Sequence, residues 1–88
     1  MYSILLASQA KKDKKIIEKS VHKSKYHQLL DIIKHNPYQN PPPYEKLDGN
    51  KEILYSRRIN IQHRLVYQIY ETEKLIKIIS SWSHYENL

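Results

Sequence analysis

The hydrophobic pattern of this chain changes period once, across a segment from Pro37 to Asn50 that holds all four prolines and the single glycine. Before that segment, Tyr26, Leu29, Leu30 and Ile33 recur at i, i+3, i+4 and i+7, the spacing of one helix face. The helix must stop before Asn36-Pro37, because proline disfavours helical backbone in the residue that precedes it. After Gly49 the period falls to two. Ile53 to Asn60, Arg64 to Tyr70 and Leu75 to Trp82 are rich in Ile, Val, Tyr and Leu and are separated by about four polar residues, which predicts a three-stranded antiparallel meander.

Two elements precede the periodic helix. Tyr2 to Ala7 is apolar but too short for a helix and reads as a buried strand. Ser8 to Ser20 is mostly helix formers, with Ser8 as the candidate N-cap and Ala10, Ile17 and Val21 near one narrow, solvent-rich face. Pro37 to Asn50 is expected to be an ordered, irregular connection, its prolines stiffening the approach to Tyr44-Glu45. The order predicts an α+β fold: two N-terminal helices packed on one face of a mainly antiparallel sheet of about four strands. At 88 residues and 10.6 kDa the chain makes one domain, 1–88. Its folded surface should be roughly 5,500 Å² against about 15,000 Å² unfolded, which leaves a thin core that a tight partner would support.

Composition then narrows the chemistry. No cysteine is present, so disulfides, iron-sulfur clusters, thiolate zinc and cysteine nucleophiles are out, and a reducing, cytoplasmic setting is expected. The longest apolar run, Ile4 to Ala7, is far below the ~20 residues of a membrane span, and the first residues carry neither a basic region nor a cleavage site. The net charge of +6 points to an anionic partner. Up to residue 35 the basic side chains other than histidine are eight lysines against Asp13, Glu18 and Asp31, a pattern usual for solvated helix faces. The three arginines, Arg57, Arg58 and Arg64, fall together later in the chain. Their planar guanidinium suits phosphate, which makes that segment the first specific signal.

Strand alternation places Arg64, Val66 and Gln68 on one face, at least partly solvated, and Leu65, Tyr67 and Ile69 on the core face. Arg57 and Arg58 must point to opposite faces, so only one of them can share a site with Arg64. Glu45, in the proline-stiffened loop, could serve as a carboxylate base. His84 at the end of the last strand could donate a proton near neutral pH, and Tyr85 follows it. Trp82 reads as a core anchor rather than a base-stacking platform. These residue types suffice for metal-free RNA cleavage, in which the ribose 2′-OH attacks its own phosphate while a base, an acid and an arginine manage protons and charge. Metal hydrolysis fits worse: His22 and His27 stand about 140° apart around a helix and no carboxylate pair stands out. A single glycine excludes glycine-rich phosphate loops.

The order of motifs resembles a known family. Asn-Pro-Tyr (36 to 38), Pro-Pro-Pro-Tyr-Glu-Lys-Leu (41 to 47), Tyr-Ser-Arg-Arg-Ile-Asn (55 to 60), His-Arg-Leu-Val-Tyr (63 to 67) and Ser-His-Tyr (83 to 85) together are similar to the YoeB/Txe toxins of bacterial type II toxin-antitoxin systems. The resemblance implies a RelE-like fold and a ribosome-dependent mRNA endoribonuclease that needs no cofactor. It also implies silencing by a cognate YefM/Axe-type antitoxin, with room for a homodimer and no membrane partner. Carried over by position, the general base falls on Glu45, the general acid on His84 and the phosphate-stabilising arginine on Arg64. Arg58 becomes a second active-site arginine and Tyr85 the residue that orients substrate. Arg57 and Lys46 are expected to contact nucleic acid. Two positions depart from the family pattern: Ile53 stands where a glycine is common, and Asp48 where a basic residue is frequent. The alternative is a non-catalytic basic module that grips RNA or DNA, which would use the same lysines and arginines without needing Glu45 or His84.

Overall fold

The computed structural model describes residues 1–48 and 52–83. Its elements run β1 (Ser3–Leu6), α1 (Ser8–Ile17), α2 (Lys23–His35), β2 (Glu45–Asp48), β3 (Ile53–Arg58), β4 (Arg64–Tyr70) and β5 (Leu75–Ser83). The strands form one sheet in the order β1-β5-β4-β3-β2. Strands β2 to β5 pair antiparallel with their neighbours, while β1 runs parallel to β5, with Ser3 opposite Leu75 and Leu6 opposite Ile78. The α+β architecture matches the expectation, with five strands in place of four. The additional strand is β2, inside the segment expected to be irregular. Only Leu47 of its four residues is even partly buried, so an edge strand of this kind leaves no apolar alternation to read.

The periodic helix behaves as its pattern requires. Tyr26, Leu29 and Ile33 of α2 are buried together with Ala10 and Ile17 of α1, Leu65 and Tyr67 of β4, and Ile76 and Ile78 of β5. Each large apolar side chain removed from water contributes about 1.5 to 3 kcal/mol, so this cluster fixes the helices on one face of the sheet. Three local expectations are corrected. The N-cap of α1 is Ala7, with no side-chain capping bond, and Ser8 is already helical; the Ala7 N–H instead donates to the Ile78 carbonyl at 2.9 Å. Val21 is exposed, because α1 ends at Ile17 and the Ser20 hydroxyl donates to the Ile17 carbonyl while accepting the His22 N–H, which turns the chain before Val21 can reach the core. Strand β1 is half-buried rather than buried, with Leu5 exposed, because it lies at a sheet edge.

Strand β5 departs from simple alternation opposite the start of β4. Tyr67 pairs with Ile78, Val66 with Ser80 and Arg64 with Ser83, so β5 accommodates additional residues over this stretch. The buried Asp13 of α1 holds the irregular stretch: its carboxylate accepts the Ser81 backbone N–H at 2.9 Å and the Gln9 side-chain amide at 2.9 Å. The expectation that Val66 and Gln68 are partly solvated is also corrected. Val66 lies in a cross-strand row with Ser56 and Ser80, all three fully buried, on a strand with neighbours on both sides, and Gln68 is buried as well.

A second polar tie closes the opposite end of the sheet. The Glu71 carboxylate accepts the Tyr2 hydroxyl at 2.7 Å and the Tyr38 hydroxyl at 2.6 Å, and pairs with Lys74. Those hydrogen bonds, the one from Tyr38 foremost, hold its carboxyl below the usual carboxylate value. One side chain thus ties the N-terminal residues, the proline-rich segment and the β4–β5 turn, in which Lys74 adopts the left-handed region at φ 52°.

Candidate active site

Register brings together residues that are distant in sequence. Glu45 pairs with Ser56 and Ser56 with Val66, while Arg58 pairs with Arg64. Since residues two apart on a strand share a face, Glu45, Ser56, Arg58 and Arg64 all project from the side of the sheet opposite the helices. The Glu45 carboxylate accepts a hydrogen bond from Arg64 Nη1 at 2.8 Å, and the same Nη1 lies 3.4 Å from the Ser56 hydroxyl. Arg64 is mostly covered, its side chain 15% exposed, whereas Glu45 is 52% exposed. The carboxylate can therefore be reached from solvent while the guanidinium stays anchored. Around them is an open recess of about 310 Å³, lined by Pro43, Tyr44, Glu45, Ser56, Arg58 and Arg64.

The two adjacent arginines are separated completely. Arg58 is exposed on the recess side. Arg57 points to the helix side and is fully buried, with Nε donating to the Tyr67 hydroxyl at 3.0 Å, Nη1 to the Pro42 carbonyl at 2.6 Å, and Nη2 to the carbonyls of Pro37 and Gln39 at 3.0 and 2.8 Å. Its guanidinium also lies 4.9 Å from the centre of the Tyr44 ring. Tyr67 donates its own proton to the Pro37 carbonyl at 3.0 Å, and burial raises its phenol above the ordinary value. The expected nucleic-acid contact at Arg57 is therefore replaced by a structural role: this side chain fixes the path of the proline-rich segment that delivers Tyr44 and Glu45 to the recess. Lys46 is exposed but sits in register with Tyr55, on the face opposite Glu45.

Trp82 packs as a core anchor, stacked on His63 with ring centres 3.8 Å apart. His84 and Tyr85 lie outside the described residues; the last described pairing of β5 places the backbone of Ser83 opposite Arg64. Among the described residues, no group of three or more His, Cys, Asp or Glu is arranged to hold a metal ion. Sequence reasoning missed Ser56 and Tyr44 as lining residues. Ser56 was open to discovery, since it stands two positions before Arg58 and must share its face. Tyr44 was not, because only the folded path of the prolines turns it toward the recess.

Comparison with known proteins identifies relatives in sequence and in fold. A family profile described as the YoeB-like toxin of bacterial type II toxin-antitoxin systems matches residues 6–85. A toxin YoeB of Synechocystis sp. is 40% identical over 58 residues, covering 66% of this chain and 65% of that protein, just under two thirds of the relative's length. In a YoeB-YefM complex from Staphylococcus aureus, the matching chain is 35% identical with a TM-score of 0.79, over 97% of this chain and 99% of that one. A YoeB dimer from the same organism gives 35% identity and 0.78, over 96% and 98%. A YoeB/ParE toxin from Agrobacterium tumefaciens, 22% identical, shares the fold at 0.84 over 94% of this chain and 99% of that one.

Proposed function

From the premise that this chain belongs to the YoeB-like toxin family of type II toxin-antitoxin systems, we propose that it is a ribosome-dependent mRNA endoribonuclease acting by general acid-base chemistry. The observation that carries the reading is the solvent-accessible Glu45 carboxylate held at 2.8 Å from Arg64, with Arg58 lining the same recess. A proton acceptor beside guanidinium groups is what attack by a ribose hydroxyl on its neighbouring phosphate requires. Glu45 takes the 2′-OH proton as that oxygen bonds to phosphorus. Arg64 and Arg58 stabilise the charge that grows on the phosphate oxygens. His84 protonates the departing 5′ oxygen and Tyr85 orients the substrate, leaving a 2′,3′-cyclic phosphate and a 5′-hydroxyl.

The partner in the silent state is a YefM-type antitoxin, and self-association as a dimer is compatible with the same chain; complexes of both kinds are known for the Staphylococcus aureus relatives. Action on ribosomes puts the protein in the cytoplasm. Among the described residues no helix is long and apolar enough to cross a membrane. The test is cleavage of mRNA on programmed ribosomes by wild type and by Glu45→Gln, with the ends of both fragments identified. A rate about 10² to 10⁴ lower in the variant and a 5′-hydroxyl on the downstream fragment are expected. A downstream 5′-phosphate, or full activity in the variant, overturns the mechanism.

A further inference from the structure

A second recess of about 380 Å³ adjoins the first, and the two share Pro43 and Arg58 in their walls. Its apolar lining includes Leu29 of α2 and Ile59, both buried, together with Pro42. Its rim carries Lys25 from the first turn of α2 and Ile61 from the β3–β4 connection, and its lining includes no acidic side chain. Ile61 is 89% exposed, one of the most exposed large apolar side chains of the molecule. It is nevertheless held in place. The Asn60 side-chain oxygen accepts the backbone N–H of Gln62 at 2.8 Å and of His63 at 2.6 Å, the Asn60 amide meets His22 Nε2 at 2.8 Å, and the Ile59 N–H donates to the His63 carbonyl at 2.9 Å. A turn this well bonded presents its apolar side chain to solvent in a fixed position, and the hydrophobic core has no use for it there.

We propose that this second recess is a subsite for the RNA nucleotide that adjoins the one being cut. Its base lies on the aliphatic surface of Ile61 and Pro42, and its phosphate lies between Lys25 and Arg58. The inference rests on the reading of the first recess as the site of RNA cleavage. Adjacency supports it, because the two recesses meet at Pro43 and Arg58, where a strand leaving the first would turn past the end of β3 toward α2. Charge supports it as well: the lining holds Lys25, Arg58 and the buried Arg57 and no carboxylate, which suits a phosphodiester backbone, and an apolar wall suits a base face without demanding a particular sequence.

The test uses ribosomes programmed with an mRNA whose scissile nucleotide carries 2′-H in place of the hydroxyl, so that binding is measured without cutting. Ile61→Ser and Lys25→Gln alter exposed side chains, and their melting curves check the fold. Ile61→Ser should weaken binding severalfold, as expected for loss of a partly covered aliphatic contact. Lys25→Gln should weaken it severalfold and lower the salt slope of log K by about 0.7. A 4-thiouridine next to the scissile position should crosslink to wild type and lose that crosslink in Ile61→Ser. Wild-type binding and crosslinking in both variants would overturn the subsite, whether or not the variants lose antitoxin binding. Wild type that binds with this dependence on Lys25 and Ile61 but cuts nothing would leave the subsite standing and remove the cleavage reading. Wild type that does not bind would remove both.

Discussion

Arg57→Lys isolates what the buried guanidinium does. The substitution keeps the positive charge, and with it the cost of holding a cation out of water, but it exchanges a planar fork for a single ammonium nitrogen. The fork meets four acceptors, the Tyr67 hydroxyl and the carbonyls of Pro37, Gln39 and Pro42. One nitrogen at the end of a lysine cannot occupy the Nε position beside Tyr67 and both Nη positions together. With about two charge-assisted bonds lost at roughly 1.5 to 3 kcal/mol each, the expected loss is about 3 to 6 kcal/mol. For a domain of this size that corresponds to a fall in Tm of at least about 12 °C. Urea denaturation followed by the fluorescence of the single tryptophan, Trp82, should show a lower midpoint with an unchanged m value. Arg58→Lys, on the exposed face one residue away, should stay within about 0.5 kcal/mol of wild type. Because the same segment carries Tyr44 and Glu45, cleavage per folded molecule should fall in Arg57→Lys too. Equal midpoints for the two lysine variants would refute the reasoning.

Further expectations can be checked alongside. Asp13→Ala leaves the buried Ser81 N–H without its acceptor and should cost about 1 to 3 kcal/mol by the same denaturation assay, with Asp13→Asn milder because its amide oxygen still accepts. Glu71 has its folded pKa lowered from 4.5 by its tyrosine and lysine partners, so its contribution is complete above the unfolded carboxylate value and is lost as pH falls through the lower folded value; melting temperature against pH should show a shallower acid limb in Glu71→Gln. His84→Gln should slow cleavage about 10² to 10⁴-fold, and Glu45→Gln combined with His84→Gln should lose less than the two free energies added, as measured by single-turnover cleavage. Association with an acidic antitoxin segment should slow at high salt in stopped-flow mixing, because steering by the +6 chain is screened.

The parts of this fold that sequence made legible are those where burial follows a simple period. Helix α2 and strand β4 lie where their patterns put them, and Arg58 and Arg64 share a face as alternation allows. What escaped depends on contacts between distant segments. Strand β2 exists because β3 offers it a ladder, and its own four residues carry almost no apolar signal. Arg57 and Arg58 are neighbours of identical chemistry; which of them enters the core is decided by the carbonyls that the proline-rich segment presents. The additional residues in β5 break the alternation that reading by twos relies on, and the carboxylate that holds them comes from α1. Ser56 could have been inferred from its spacing to Arg58, but a serine among bulkier candidates carries no signal of its own.

Strand β5 comes last in chain order, yet it lies inside the sheet, between β1 and β4. Strand β1, the first to be synthesised, pairs only with β5, and Ser3 must wait for Leu75 before its ladder can form. A hairpin of β3 and β4 can assemble as it emerges, but β1 and the helix face above it gain their partner only when residues 75–83 have left the exit tunnel. For a protein proposed to act on ribosomes, this topology has a consequence in time. Until that last strand is available, β1 has no ladder and Arg64 lacks its neighbour on β5, so the sheet is completed only after every other described element has been made.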